Sequence, residues 1–227
     1  MSISTERLGQ VAGICLVAAG AIFIGVQVNH PPLTLEFVGS TEFAARQTLK
    51  VIMTVLALVG ITSLYARHAR SLGVLGLVGY LLFGLGYLTM FSVEVIAGFV
   101  LPSIVQTSPA YVQDVLTAAV GGSPSGDIGS MQILLSLSGV GYMVGGLVIG
   151  IALFRAGVVA RWAAALLAVA TVSTLALAVL PESFNRPFAI PTGIALIGLG
   201  WSAWRTRSAT MSEDATESAQ VPADAVR

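Results

Sequence analysis

Apolar residues do not alternate with polar ones along this chain. They run in long stretches, and the polar residues collect between the runs. About 20 consecutive apolar residues make a helix that crosses the roughly 30 Å hydrocarbon core of a bilayer. Six runs reach or approach that length: near Leu8–Val28, from about Ala44 to Ala66, from Leu72 to about Val100, Met131–Phe154, Trp162–Leu180, and about Phe188–Trp204. Their ends are marked by "NHPP", "LPS" and "LPESFNRP", where proline has no N–H to continue a helical ladder. The expected fold is all-α: a polytopic bundle of six transmembrane helices over residues 1–207, followed by a disordered cytoplasmic tail over 208–227. The first run is longer than a signal-peptide core and no A-x-A site follows it, so it is expected to be a retained helix.

Arginine and lysine in short loops set orientation. One set of loops holds Arg7, Arg67, Arg70, Arg155, Arg161, Arg205 and Arg207; the other holds Arg46, Lys50 and Arg186. Both termini are therefore expected in the cytoplasm, and the loops at 29–43, 101–130 and 181–187 outside. The longest outer loop carries its own helix signal. Ser108 stands at an N-cap position, Pro109 at the first helical position and Gly121 at a stop, with Val112, Val115, Leu116 and Ala119 on one face. That predicts a short amphipathic helix, either a lid on the bundle or a helix lying on the membrane surface. The tail "SATMSEDATESAQVPADAVR" has no apolar periodicity and holds four acids against one arginine.

Composition agrees with lipid as the solvent. The chain is 56% hydrophobic and 10% charged, with a mean hydropathy of +0.89, whereas soluble domains carry about 25% charged residues. The net charge of zero offers no face for nucleic acid. Lys50 is the one lysine against ten arginines, and Ala, Val and Gly abound, a bias that points to a GC-rich bacterial genome and so to the bacterial inner membrane. Cys15 sits within an apolar run and has no second cysteine to pair with.

Small residues let helices approach in lipid, where apolar burial alone does not drive association. Gly141 and Gly145, and again Gly146 and Gly150, are four apart on the fourth run; Gly73, Gly76 and Gly79 recur every third residue on the third. Internal packing is favoured over a homodimer through Gly141, Gly145, Gly146 and Gly150. The hydroxyls within the runs, such as Thr54, Thr89 and Thr171, are expected to bond their own helix backbone or a neighbour, as part of the packing.

The charges that remain gather at one level. Glu94 lies 22 residues beyond Leu72, about 31 Å along a helix tilted by about 20°, which places it at the outer edge of the hydrocarbon. Glu42, Arg46 and Lys50 are spaced by four at the start of the second run, His30 closes the first, and Glu182 and Arg186 bracket the last outer turn. His30, Glu42, Arg46, Lys50, Glu94, Glu182 and Arg186 form the candidate outer polar cluster. Glu94 is expected to face the bundle and to meet Arg46, Lys50 or His30. An interfacial ion-pair network is the plainer reading. An outward pocket that binds a cation or amine at Glu94 is the sharper one.

No cofactor or metal is expected. The two histidines, His30 and His68, fall on opposite sides of the membrane. Rhomboid proteases pair a serine on the fourth helix with a histidine on the sixth, but "FAIPTGIALIGLGWSAW" holds no histidine to act as base. No catalytic residue stands out. "HPP" after the first run, "LYARHARSLGVLGLVGYLL", "EVIAGFVLP" and "LFRAGVVARWAAALL" together resemble a family of uncharacterised six-helix membrane proteins, a domain of unknown function common in actinobacteria. The resemblance covers about residues 8–205. It implies fold and location only. Related sequences often carry proline before the Arg161–Trp162 pair, where this chain has Ala160. The expected function is a non-enzymatic membrane component with the lipid bilayer as partner and a small molecule or lipid as candidate ligand. The rivals are a small-molecule transporter or exporter, and an enzyme acting on a lipid or head group at the outer surface.

Overall fold

The computed structural model describes residues 5–178 and 187–220. Glu182, Arg186, the end of the fifth apolar run and tail residues 221–227 lie outside them. The described chain is helical, with no strand among those residues. Its elements are α1 (Thr5–Gly25), α2 (Leu35–Val38), α3 (Thr41–Val95), a π-helical turn (Ile96–Val100), α4 (Leu101–Ile104), α5 (Pro109–Ala119), α6 (Ser130–Ala156), α7 (Arg161–Ser173), a 3-10 segment (Thr174–Ala178) and α8 (Ala189–Gln220).

Three elements are long and apolar enough to cross a membrane: Glu6–Gly25, Ser130–Ala156 and the 64-residue stretch Thr41–Ile104. A straight rod of that last length would measure about 96 Å, some three times the hydrocarbon thickness. It is not straight. His68 (φ −119°, ψ 15°) and Gly73 (φ 58°, ψ −156°) leave the helical region and fold α3 back on itself. Tyr65 stacks on Tyr80 with ring centroids 4.5 Å apart, and Thr62 Oγ1 lies 3.2 Å from the Tyr80 hydroxyl. The two arms of α3 therefore run antiparallel from a hairpin end at residues 68–73.

The helices close a ring. α3 packs on α1 and α6, α6 on α7, α7 on α8, and α8 returns to α1. Glycines set the closest approaches. A Cβ at Gly141 or Gly145 would strike the backbone of Gly86 or Phe83 on the second arm of α3, and one at Gly146 or Gly150 would strike Thr171 or Ala168 on α7. All four thus serve neighbours within the chain. A further pairing has no counterpart in the sequence reading: Gly13 and Gly20 of α1 face Gly200 and Gly193 of α8, each against the other's carbonyl oxygen.

The third-run glycines divide differently from their even spacing. Gly79 meets Ile149 backbone on α6, whereas Gly76 meets only Leu72 and Gly73 makes the turn. The Gly73 dihedrals fall where a Cβ collides with the residue's own backbone, so only glycine is at ease there. The helix also does not stop at "LPS". Pro102 cannot donate to Gly98 and its ring crowds that carbonyl. The backbone widens instead, with Leu101 N–H bonding Ile96 five residues back, and Pro102 then fits the first turn of α4.

A Cβ at Gly73 would meet nothing within 4 Å, and the same is true of helical Gly139. Gly73→Ala is expected to cost about 1–3 kcal/mol through backbone strain alone, and Gly139→Ala to be neutral or stabilising. Thermal unfolding of the two variants in detergent checks the contrast.

Candidate functional site

Two apolar clusters fill the protein, one above the other. The larger joins α1, α3, α6, α7 and α8 and includes Leu16, Ile61, Phe83, Tyr87, Ile149 and Leu196. The smaller is a cap at the end opposite the hairpin. It gathers Phe37 and Val38 of α2, Phe43, Leu101, Val105, Val112 and Leu116 of α5, Ile128 and Met131. The amphipathic helix expected in the long outer loop is present as α5, and its apolar face is buried against these residues, so it is a lid. Pro109 starts it; Ser108 supplies its backbone carbonyl to Val112 N–H while its hydroxyl makes no cap bond.

The lid is tied down by one carboxylate. Asp114 accepts from Ser125 N–H (2.7 Å), the Ser125 hydroxyl (2.9 Å) and Gly126 N–H (3.0 Å). The backbone and hydroxyl bonds from Ser125 hold its carboxyl below the ordinary value of 3.8, and the Gly126 bond adds to them.

Between the two clusters lies a polar layer. On the first arm of α3, Gln47 and Lys50 sit between Phe43 of the cap and Met53 of the bundle core; on the second arm, Glu94 sits between Met90 and Ala97. Lys50 Nζ is 3.6 Å from Glu94 Oε2, with the two side chains 16% and 15% exposed. Gln47 Nε2 donates to the same oxygen at 2.7 Å. Gly98, in the π-helical turn, makes the room: a Cβ there would come within 2.9 Å of the Gln47 Cβ. Glu94 sits in the last turn of α3 and faces the first arm. It meets Lys50.

Arg46 has a different task. Its guanidinium bonds Glu42 Oε1 at 2.8 and 2.9 Å. It also donates to the carbonyls of Val26 (3.0 Å), Val28 (3.2 Å) and Asn29 (3.2 Å). These are the orphan acceptors at the end of α1, where Asn29 turns left-handed (φ 49°). His30 Nδ1 lies 2.7 Å from the Pro31 carbonyl and its ring stands edge-on to Phe37 at 5.6 Å. Of the candidate cluster, then, two groups form: Glu42 with Arg46, and Lys50 with Glu94.

Sequence reasoning missed Gln47, although it shares the Phe43 and Lys50 face. Its Oε1 is buried without a partner, as is the Tyr87 hydroxyl. It also missed Thr192, whose hydroxyl lies 2.7 Å from that of Tyr142 in the core. The other intramembrane hydroxyls largely do as expected. Thr54, Thr89 and Thr171 bond carbonyls of their own helix, at 2.8, 2.8 and 2.9 Å in turn. No group of metal-ligating side chains occurs among the described residues. Comparison with protein-family models, curated proteins and solved structures finds no match.

Glu94→Leu strands the Lys50 ammonium and the Gln47 amide and is expected to cost about 2 kcal/mol. Glu94→Gln keeps an acceptor for Gln47 and should cost less. Lys50→Met added to Glu94→Leu should recover most of the loss, which unfolding midpoints of the four proteins will report. At the lid, a carboxyl with a depressed folded-state pKa stabilises above its unfolded value. That contribution is lost as pH falls through the folded one. Amide exchange at Ser125 and Gly126 should therefore quicken, beyond its intrinsic pH dependence, only below about pH 4, and Asp114→Asn should show the faster exchange already at pH 7.

Proposed function

We propose that the chain is a six-span integral protein of a bacterial inner membrane with both termini in the cytoplasm. It acts as a non-enzymatic membrane component whose outward polar cluster fastens helix ends. The spans are α1, the two arms of α3, α6, α7 with its 3-10 extension, and the apolar part of α8. The observation that carries the reading is the use made of the two cations at the cap end. Arg46 serves the end of α1 and Lys50 serves Glu94, so both charges hold the bundle together. Glu94, the carboxylate best placed for a ligand, is engaged on one oxygen by two donors.

The charge distribution supports the orientation. Among the described residues up to Arg205, the hairpin end carries Arg7, Arg67, Arg70, Arg155, Arg161 and Arg205 against Glu6, and the other acids of that stretch fall at the cap end. That asymmetry is the one that holds a loop on the cytoplasmic side.

Reporter cysteines placed in a Cys15→Ala background test the topology. A membrane-impermeant maleimide added to intact cells should label Ser123→Cys and Glu36→Cys and spare Ser212→Cys. Labelling of Ser212→Cys alone would reverse the orientation and sink the reading.

A further inference from the structure

A groove of about 380 Å³ opens on the outer surface of the bundle between α7 and α8, lined by Trp162, Ile194, Ile197, Gly198 and Trp201. The four α8 residues fall at i, i+3, i+4 and i+7, one stripe of the helix. Gly198 makes the floor. A side chain there would strike the Trp162 indole, so its absence lets the ring lie across α8. The two tryptophans form the walls, 58% and 56% exposed. The lining is apolar throughout.

One end of the groove is basic. Ala160 N–H donates to Ser202 Oγ at 2.8 Å, which fixes the start of α7 level with this turn of α8. Arg161 follows Ala160 and Arg205 lies one turn beyond Trp201, so both residues stand level with the hairpin end of the groove, both exposed. Arg205 lies over the Trp201 ring at 5.2 Å and Arg161 over Phe154 at 5.9 Å. Neither meets a carboxylate among the described residues. An apolar slot walled by tryptophan, with two arginines at its level that meet no carboxylate among the described residues, is complementary to an amphiphile with an anionic head.

We infer that this groove seats one anionic phospholipid of the inner leaflet, with an acyl chain between Trp162 and Trp201 and the phosphate at Arg161 and Arg205. The inference rests on the membrane reading above and names a lipid that the bundle binds selectively. Tryptophan emission reads it directly. The full chain carrying Trp204→Phe is reconstituted in phosphatidylcholine vesicles. Quenching is then compared between brominated-acyl phosphatidylglycerol and brominated-acyl phosphatidylcholine.

The phosphatidylglycerol should quench with a relative affinity about fivefold higher for each arginine engaged. Arg161→Gln with Arg205→Gln, both at exposed positions, should bring the ratio close to one. Gly198→Leu fills the groove and leaves both arginines; it should lower the ratio as well. Equal quenching by the two lipids, or a preference that survives the double substitution, overturns the site. A preference unchanged in folded Gly198→Leu assigns the selectivity to surface charge and also overturns it. Absence of quenching by either lipid contradicts the membrane reading itself.

Discussion

A polar group at a helix end, with hydrocarbon beneath it, must find its partner in the protein, and the first arm of α3 supplies three such partners. Arg46 takes up the orphan carbonyls where α1 ends. Lys50 meets Glu94 on the returning arm. Arg67, at the other end, donates to the Ala203 carbonyl of α8 at 3.2 Å, in the space left by the missing side chain of Gly9. One arm thus fastens α1, its own antiparallel mate and α8 by charged side chains. Where these bonds form, the register of the neighbouring helices follows.

That register decides whether the glycine contacts fit. Gly13 reaches Gly200, and Gly20 reaches Gly193, only if α1 and α8 are level to within a fraction of a turn. The same holds for Gly141 against Gly86 on the second arm of α3. Close backbone approach in turn brings the buried hydroxyls of Tyr142 and Thr192 together, a bond of modest net value in a membrane protein. The cap then closes over the polar layer. Lys50 and Glu94 are left largely shielded from water, 16% and 15% exposed, which strengthens the ion pair and makes the loss of either partner costly.

That the chain is helical, with helices long and apolar enough to cross a membrane, was legible from apolar run length alone. The attraction of Glu94 to a base on the neighbouring arm follows from the need to neutralise a charge shielded from water. Which base it chooses does not. Arg46 and Lys50 lie one turn apart, and the choice is made by the carbonyls of α1, which no local pattern in α3 announces. Gly13 and Gly20 are seven apart, outside the four-residue spacing that marks a small-residue contact. Pro102 signalled a stop, and the π-helical turn evaded it by skipping the missing donor. The lid was visible as a helix, but whether its apolar face met lipid or protein depended on α2 and the π-helical turn, elements that had no clear signature.

The account requires that the start and end of α3 meet at the polar layer. Gln47 and Gly98 approach closely there: a Cβ on the glycine would lie 2.9 Å from the Gln47 Cβ, inside the roughly 3.5–4.5 Å that a disulfide spans, so a small outward shift admits the bond. In native membranes, with Cys15→Ala, mild oxidation of the Gln47→Cys/Gly98→Cys protein should give an intramolecular cross-link, read from the mass of the linked peptides. A control pair at positions 47 and 74, at opposite ends of the hairpin, should give none. Failure of the 47–98 link under conditions where both thiols react with maleimide would contradict the folded-back hairpin and the pairing of Lys50 with Glu94.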